Sequence, residues 1–125
     1  MPSKQQLLTT VYAAFNRRDV DQVLARMLPD VDWPNGMEGG RVHGRDEVRA
    51  YWTRQWRTLD PLVEPVRIEN DATGNTVVDV HQVLRDLSGN TLRDQMVQHV
   101  YSFRDGLIER MDIREPGSKT AGNSG

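Results

Sequence analysis

The stretch from Gln95 to Glu115, QMVQHVYSFRDGLIERMDIRE, constrains the fold more than any other part of the chain. Asp105-Gly106 stands between two runs that alternate apolar and polar residues, and a glycine there accepts the positive φ that tight primed hairpin turns require. The two runs are therefore predicted to pair as antiparallel strands. Along the first, Gln95, Val97, His99, Tyr101 and Phe103 fall on one face. If that face lines an interior, His99 is a polar group among apolar neighbours, and such a group either bonds to a wall partner or serves a ligand.

The preceding segments extend this sheet. TVVDVHQVLRDL reads as a long strand that Ser88-Gly89-Asn90 turns into Thr91–Arg104, and Leu107–Arg114 completes the meander. Before the Ala72–Asn75 turn, LVEPVRIEND is a strand in which Pro65 cannot donate to a ladder, which points to an edge or a bulge. The first half of the chain is helical instead. Leu7, Leu8, Val11, Ala14 and Phe15 recur at helical spacing over Lys4 to Arg17, and Ser3 with Gln6 makes a capping box. A second helix is expected from Asp19, burying Val20, Val23, Leu24 and Met27 until Pro29 stops it. A small strand at Val31-Asp32-Trp33 then leads into a loop through Val42. HGRDEVRAYWTRQW is the third helix, with Asp46 and Glu47 in its first turn and Val48, Trp52, Gln55 and Trp56 on one face. The predicted order is α-α-β-α-β-β-β-β, an α+β class with helices early and a mixed, mainly antiparallel sheet late.

A chain of 125 residues supports one core, so residues 1–115 are expected to form a single domain, and the glycine-rich end PGSKTAGNSG, residues 116–125, a flexible tail. Net charge is −2, with Lys and Arg scattered among acids, which argues against nucleic acid as a partner. The absence of cysteine excludes disulfides, thiolate nucleophiles and zinc-thiolate sites. No run reaches the roughly 20 apolar residues of a membrane span, and the first residues lack a secretory apolar region, so a soluble, cytoplasmic protein is expected. His43, His81 and His99 with scattered acids have no metal-ligand spacing, and neither metal nor cofactor is expected.

YAAFNRRDVDQVLARM, DVDWPNG, VHGRDEVRAYW and HVYSFRDGLIERMDI, in that order, resemble the nuclear transport factor 2-like superfamily in its SnoaL-like and ketosteroid isomerase-like branch. The resemblance covers residues 4 to 115. It implies a cone-shaped fold, a curved sheet packed against three N-terminal helices around an apolar pocket, and a homodimer through the open sheet face. It also implies which positions would carry chemistry. The isomerases' general base, an Asp before a Pro on the first strand, falls at Trp33 before Pro34, while Asp32 is one residue away and turned to the opposite face. Their first-helix tyrosine falls at Val11, beside Tyr12, and their protonated-acid position falls at His99. The related dehydratases use pocket histidines with an acid near the end of the first helix. Here His81 and His99 lie on neighbouring strands, Tyr12 and Tyr101 supply hydroxyls, and the helix-end position is Asn16.

Other side chains have two readings. Trp33, Trp52 and Trp56 are either core or flat walls for a ligand, with Gln95, Val97, Tyr101 and Met111 completing the pocket. His81 belongs either to that pocket or to the outer sheet face, depending on the turn before the next strand. His43 reads as a residue at the start of a helix, and Glu38 as either a solvated loop carboxylate or a base on a lid. Two function classes follow. One is a cofactor-independent isomerase, cyclase or dehydratase acting on a hydrophobic carbonyl compound, with His99 in acid/base chemistry. The alternative is a non-catalytic ligand-binding or dimerisation module on the same scaffold.

Overall fold

The computed structural model describes residues 3–36 and 38–115. Residues 116–125, expected to form a flexible tail, lie outside the described residues. Three helices, α1 (Lys4–Asn16), α2 (Val20–Leu24) and α3 (Arg45–Gln55), cover one face of a six-stranded sheet. Its strands are β1 (Met27–Pro34), β2 (Arg41–His43), β3 (Leu59–Asn70), β4 (Thr76–Asp86), β5 (Thr91–Arg104) and β6 (Leu107–Arg114). The sheet order is β2-β1-β6-β5-β4-β3, with the β1–β6 pair parallel and every other pair antiparallel. This is the expected α+β architecture, a curved mixed sheet left open along its edges.

Local signals place the elements. The Ser3 hydroxyl accepts from the Gln6 amide at 3.1 Å and the Gln6 side chain accepts from the Ser3 amide at 3.0 Å, so the capping box opens α1. Asp105 and Gly106 take φ of 55° and 78°, the left-handed pair that a primed two-residue hairpin needs between β5 and β6. The register shifts between Pro65 and Arg67, in the edge strand β3, where a residue without an amide hydrogen costs the ladder least.

Two boundaries differ from expectation. The second helix ends at Leu24, and Met27 opens β1. A five-residue helix has little cooperative stability of its own, whereas Met27 gains a parallel partner in Ile108 of β6. The loop expected through Val42 contains β2, whose three residues pair with Asp32, Trp33 and Pro34, so the order is α-α-β-β-α-β-β-β-β. A three-residue strand is too short for alternation to show in sequence.

The α1 helix and Arg18 just after it protect the free edge of β3. Asn16 donates to the Val63 carbonyl at 2.7 Å and accepts from the Val63 amide at 2.9 Å, Arg18 donates to the Pro61 carbonyl at 2.9 Å, and Gln5 to that of Ile68 at 3.3 Å. An edge covered in this way cannot template another strand. Leu8, Ala14, Met27, Val31, Val48, Val78, Val80 and Ile108 are fully buried between the layers. Among the described residues, no helix is long and apolar enough to cross a membrane, and no group of three or more His, Cys, Asp or Glu is placed to hold a metal ion.

Candidate ligand-binding site

Alternation along β5 turns Val97, His99 and Tyr101 inward, each at most 6% exposed, while Met96 lies on the outside. Tyr12 comes down from α1 onto the same spot. The Tyr101 hydroxyl donates to that of Tyr12 at 2.8 Å, and the Tyr12 oxygen lies 2.7 Å from Nδ1 of His99. The Tyr12 oxygen has two lone pairs and one proton, so it pairs with Nδ1 as donor or as acceptor; where it donates, the hydrogen of His99 sits on Nε2. The rings of Tyr12 and His99 lie 5.8 Å apart and nearly parallel, at 15°, which holds the imidazole in plane. Nε2 makes no hydrogen bond among the described residues.

Burial sets the charge state of all three groups. Desolvation lowers the His99 pKa from 6.5 to about 4, so the ring is neutral at pH 7. Desolvation also raises Tyr12 and Tyr101 well above the ordinary phenol value; for Tyr12 the neighbouring Tyr101 adds to the effect. The cluster is a neutral hydrogen-bonded chain that ends at Nε2 of His99.

His99 belongs to the wall of a hollow of ≈ 90 Å³ bounded by Tyr12, Phe15, Trp33, Trp52, Tyr101 and Met111 among others. No Asp, Glu, Lys or Arg is among its lining residues. Trp33 and Trp52 meet edge to face at 5.6 Å and form one side. The hollow opens past Pro34, Gly36, Tyr51, Gln55 and Gln82 into a basin of ≈ 670 Å³ whose walls include Arg93, Gln95 and Val97. The arrangement can hold an uncharged apolar group beside one neutral imidazole.

Of the residues singled out in the sequence, Tyr12, Trp33, Trp52, His99, Tyr101 and Met111 meet in the hollow, and Gln95 and Val97 line the basin. Two lie elsewhere. Trp56 is not in the lining; it packs on Phe15 and Trp52 with the Arg18 guanidinium 5.2 Å above its ring. His81 is on the outer sheet face, where Nε2 meets the Asp94 carboxylate at 2.7 Å, because the ladder from Val78↔His99 to Leu84↔Arg93 runs without a slip. Asp32 also faces away from the hollow, in an ion network with Arg41 and Arg110. Asn16 is engaged by the Val63 backbone and orients no imidazole. Glu38 is clamped by Arg54 at 3.0 Å and by Asn35 at 3.0 Å, and these bonds hold its pKa below the ordinary carboxylate value. His43 is exposed, and its backbone amide donates to Glu47.

Tyr51 and Gln82 were not foreseen in the lining. The signal for Tyr51 was present: Val48, Tyr51, Trp52 and Gln55 form the i, i+3, i+4, i+7 stripe of α3, a better helical face than one that includes Trp56. Gln82 follows from the inward alternation Val78, Val80, Gln82 once the register is known.

Among solved structures, an NTF2-like protein of unknown function from Burkholderia pseudomallei K96243 is 26% identical, with a TM-score of 0.79 over 98% of this chain and 97% of that one. TerC, co-crystallised with polyporic acid, is 24% identical with a TM-score of 0.76 over 96% and 95%. A candidate polyketide cyclase from Xanthomonas campestris is 24% identical with a TM-score of 0.70 over 87% of both chains. No curated protein matches the sequence. Residues 8–111 match the SnoaL-like domain, and the chain belongs to that family.

Proposed function

We propose that this SnoaL-like protein binds a small hydrophobic molecule through a carbonyl group, and that His99 Nε2–H is the donor to the carbonyl oxygen. The observation that carries the reading is the neutral chain Tyr101, Tyr12, His99, which engages Nδ1 and leaves Nε2 as the nitrogen open to a ligand in a residue that lines an uncharged hollow. A neutral imidazole polarises a carbonyl without the desolvation cost of an imidazolium, and the bond strengthens as negative charge develops on the oxygen. This suits the electrophilic half of isomerase, cyclase or dehydratase chemistry, in which an enol or enolate forms. The likeness to a candidate polyketide cyclase and to TerC with its bound polyporic acid lends support at the level of the fold.

A specific observation favours the second reading, a ligand-binding module without catalysis. Enolisation requires a base to take the α-proton, and no carboxylate lines the hollow: Trp33 stands at the isomerase base position, and Asp32 and Glu38 are held in ion pairs. The two readings separate in one experiment. Hydrogen–deuterium exchange at the α-carbon of a bound methyl ketone, followed by NMR, is expected to fall at least about tenfold in His99→Gln if His99 stabilises the enolate. An exchange rate equal to that in buffer for both proteins removes catalysis and leaves the binding module.

A further inference from the structure

The hollow is too small for a whole ligand. At ≈ 90 Å³ it is smaller than the roughly 150 Å³ apolar cavity known to accept a benzene, so it takes one end of a molecule and the rest must lie in the basin.

The basin has a chemically distinct far end. The β4–β5 ladder is continuous from His99 to Arg93, so both side chains belong to the inward face, six residues or roughly 20 Å apart. Between them Val97 presents apolar surface and Gln82 and Gln95 bond to each other at 2.9 Å, while Leu84 stands directly opposite Arg93. Arg93 has no ion pair or hydrogen bond among the described residues. The other guanidinium at the basin, Arg41, is already held by Asp32 and Asp112, and Asp112 in turn by Arg110. Glu115 lies on the rim too. The register Gln98↔Arg114 sets it level with Val97, roughly 13 Å along the sheet from Arg93, beyond a screening length of about 8 Å.

From these placements we propose that the ligand is bipartite, with a compact carbonyl end in the hollow, an apolar middle that crosses Val97 and reaches Leu84, and a terminal carboxylate held by Arg93. The proposal rests on the reading of the hollow given above. A lone guanidinium matches the two oxygens of a carboxylate in its own plane, whereas a phosphate dianion would keep unmatched charge with Arg41 already engaged.

Two probes test it on the full chain by calorimetric titration: a tetradecanoic acid ending in a methyl ketone, and the methyl ester of the same acid. The acid is expected to bind the wild-type protein about three- to fivefold more tightly than the ester at low salt, as an exposed ion pair allows. Arg93→Gln should abolish that preference and leave the affinity for the ester unchanged. Equal affinities of acid and ester for the wild type overturn the carboxylate subsite while the hollow reading stands. The same holds for a preference that survives in Arg93→Gln. Failure of the wild type to bind the ester overturns the hollow reading and this proposal together.

Discussion

The Tyr12 hydroxyl and Nδ1 of His99 lie 2.7 Å apart although 87 positions separate them in the chain. The bond joins α1 to β5 in the buried interior and engages Nδ1, which leaves Nε2 as the nitrogen open to a ligand. Because Tyr101 bonds to the same hydroxyl, three buried polar groups share two hydrogen bonds and leave Nε2 of His99 unused.

Removing the middle of this chain should cost more than removing its end. Tyr12→Phe orphans both the Tyr101 hydroxyl and the His99 nitrogen, and each unsatisfied buried group costs about 1–3 kcal/mol. Tyr101→Phe leaves the Tyr12–His99 bond intact. Urea unfolding should therefore show Tyr12→Phe as the less stable variant by at least about 1 kcal/mol, and equal losses would mean that the three groups do not act as a chain.

Burial of His99 makes stability depend on pH with a defined sign. The folded ring has its pKa lowered from 6.5 to about 4, so between those values the unfolded chain binds more protons than the native one. The stabilisation is fully present above pH 6.5 and is lost as the pH falls towards 4, up to about 3 kcal/mol in all. Thermal unfolding measured across this window should show the slope in the wild type and a markedly smaller one in His99→Gln. Identical slopes would place the ring in solvent.

How much of this was legible in the sequence depended on the range of the signal. The inward set Val97, His99, Tyr101 and the Asp105-Gly106 hairpin are local patterns of period and turn chemistry, and both appear as read. The pairing of Tyr12 with His99 is not local; only the resemblance put a first-helix tyrosine and the long strand at one site. His81 could not be assigned a face from the string because one loop residue more or less reverses it, and the four residues between Asp86 and Thr91 settle the matter. Asn16 looked like an imidazole partner, but its amide matches the free backbone edge of β3, a demand visible only once β3 is known to be an edge strand.

That edge contact can be tested separately from the site. Asn16→Ala removes both bonds to Val63 and should lower stability by about 1–3 kcal/mol, with faster hydrogen exchange at the Val63 amide. The pH dependence assigned to His99 should be unchanged. A change in that profile would tie Asn16 to the histidine after all.

We propose self-association through the outer face of β3 to β5, where Leu62, Val66 and Met96 are exposed apolar residues around the His81–Asp94 pair. Sedimentation should give about twice the 14.3 kDa chain mass at micromolar concentration, and Met96→Glu should shift the protein towards monomer. A wild-type monomer throughout that range contradicts the proposal.

The most direct test of the site is a crystal structure of the protein with a small methyl ketone bound. A carbonyl oxygen about 3 Å from Nε2 of His99, with the Tyr12–Nδ1 bond retained, is the predicted result. A ketone confined to the outer basin, or a His99 ring turned so that Nε2 meets a protein group, would contradict it.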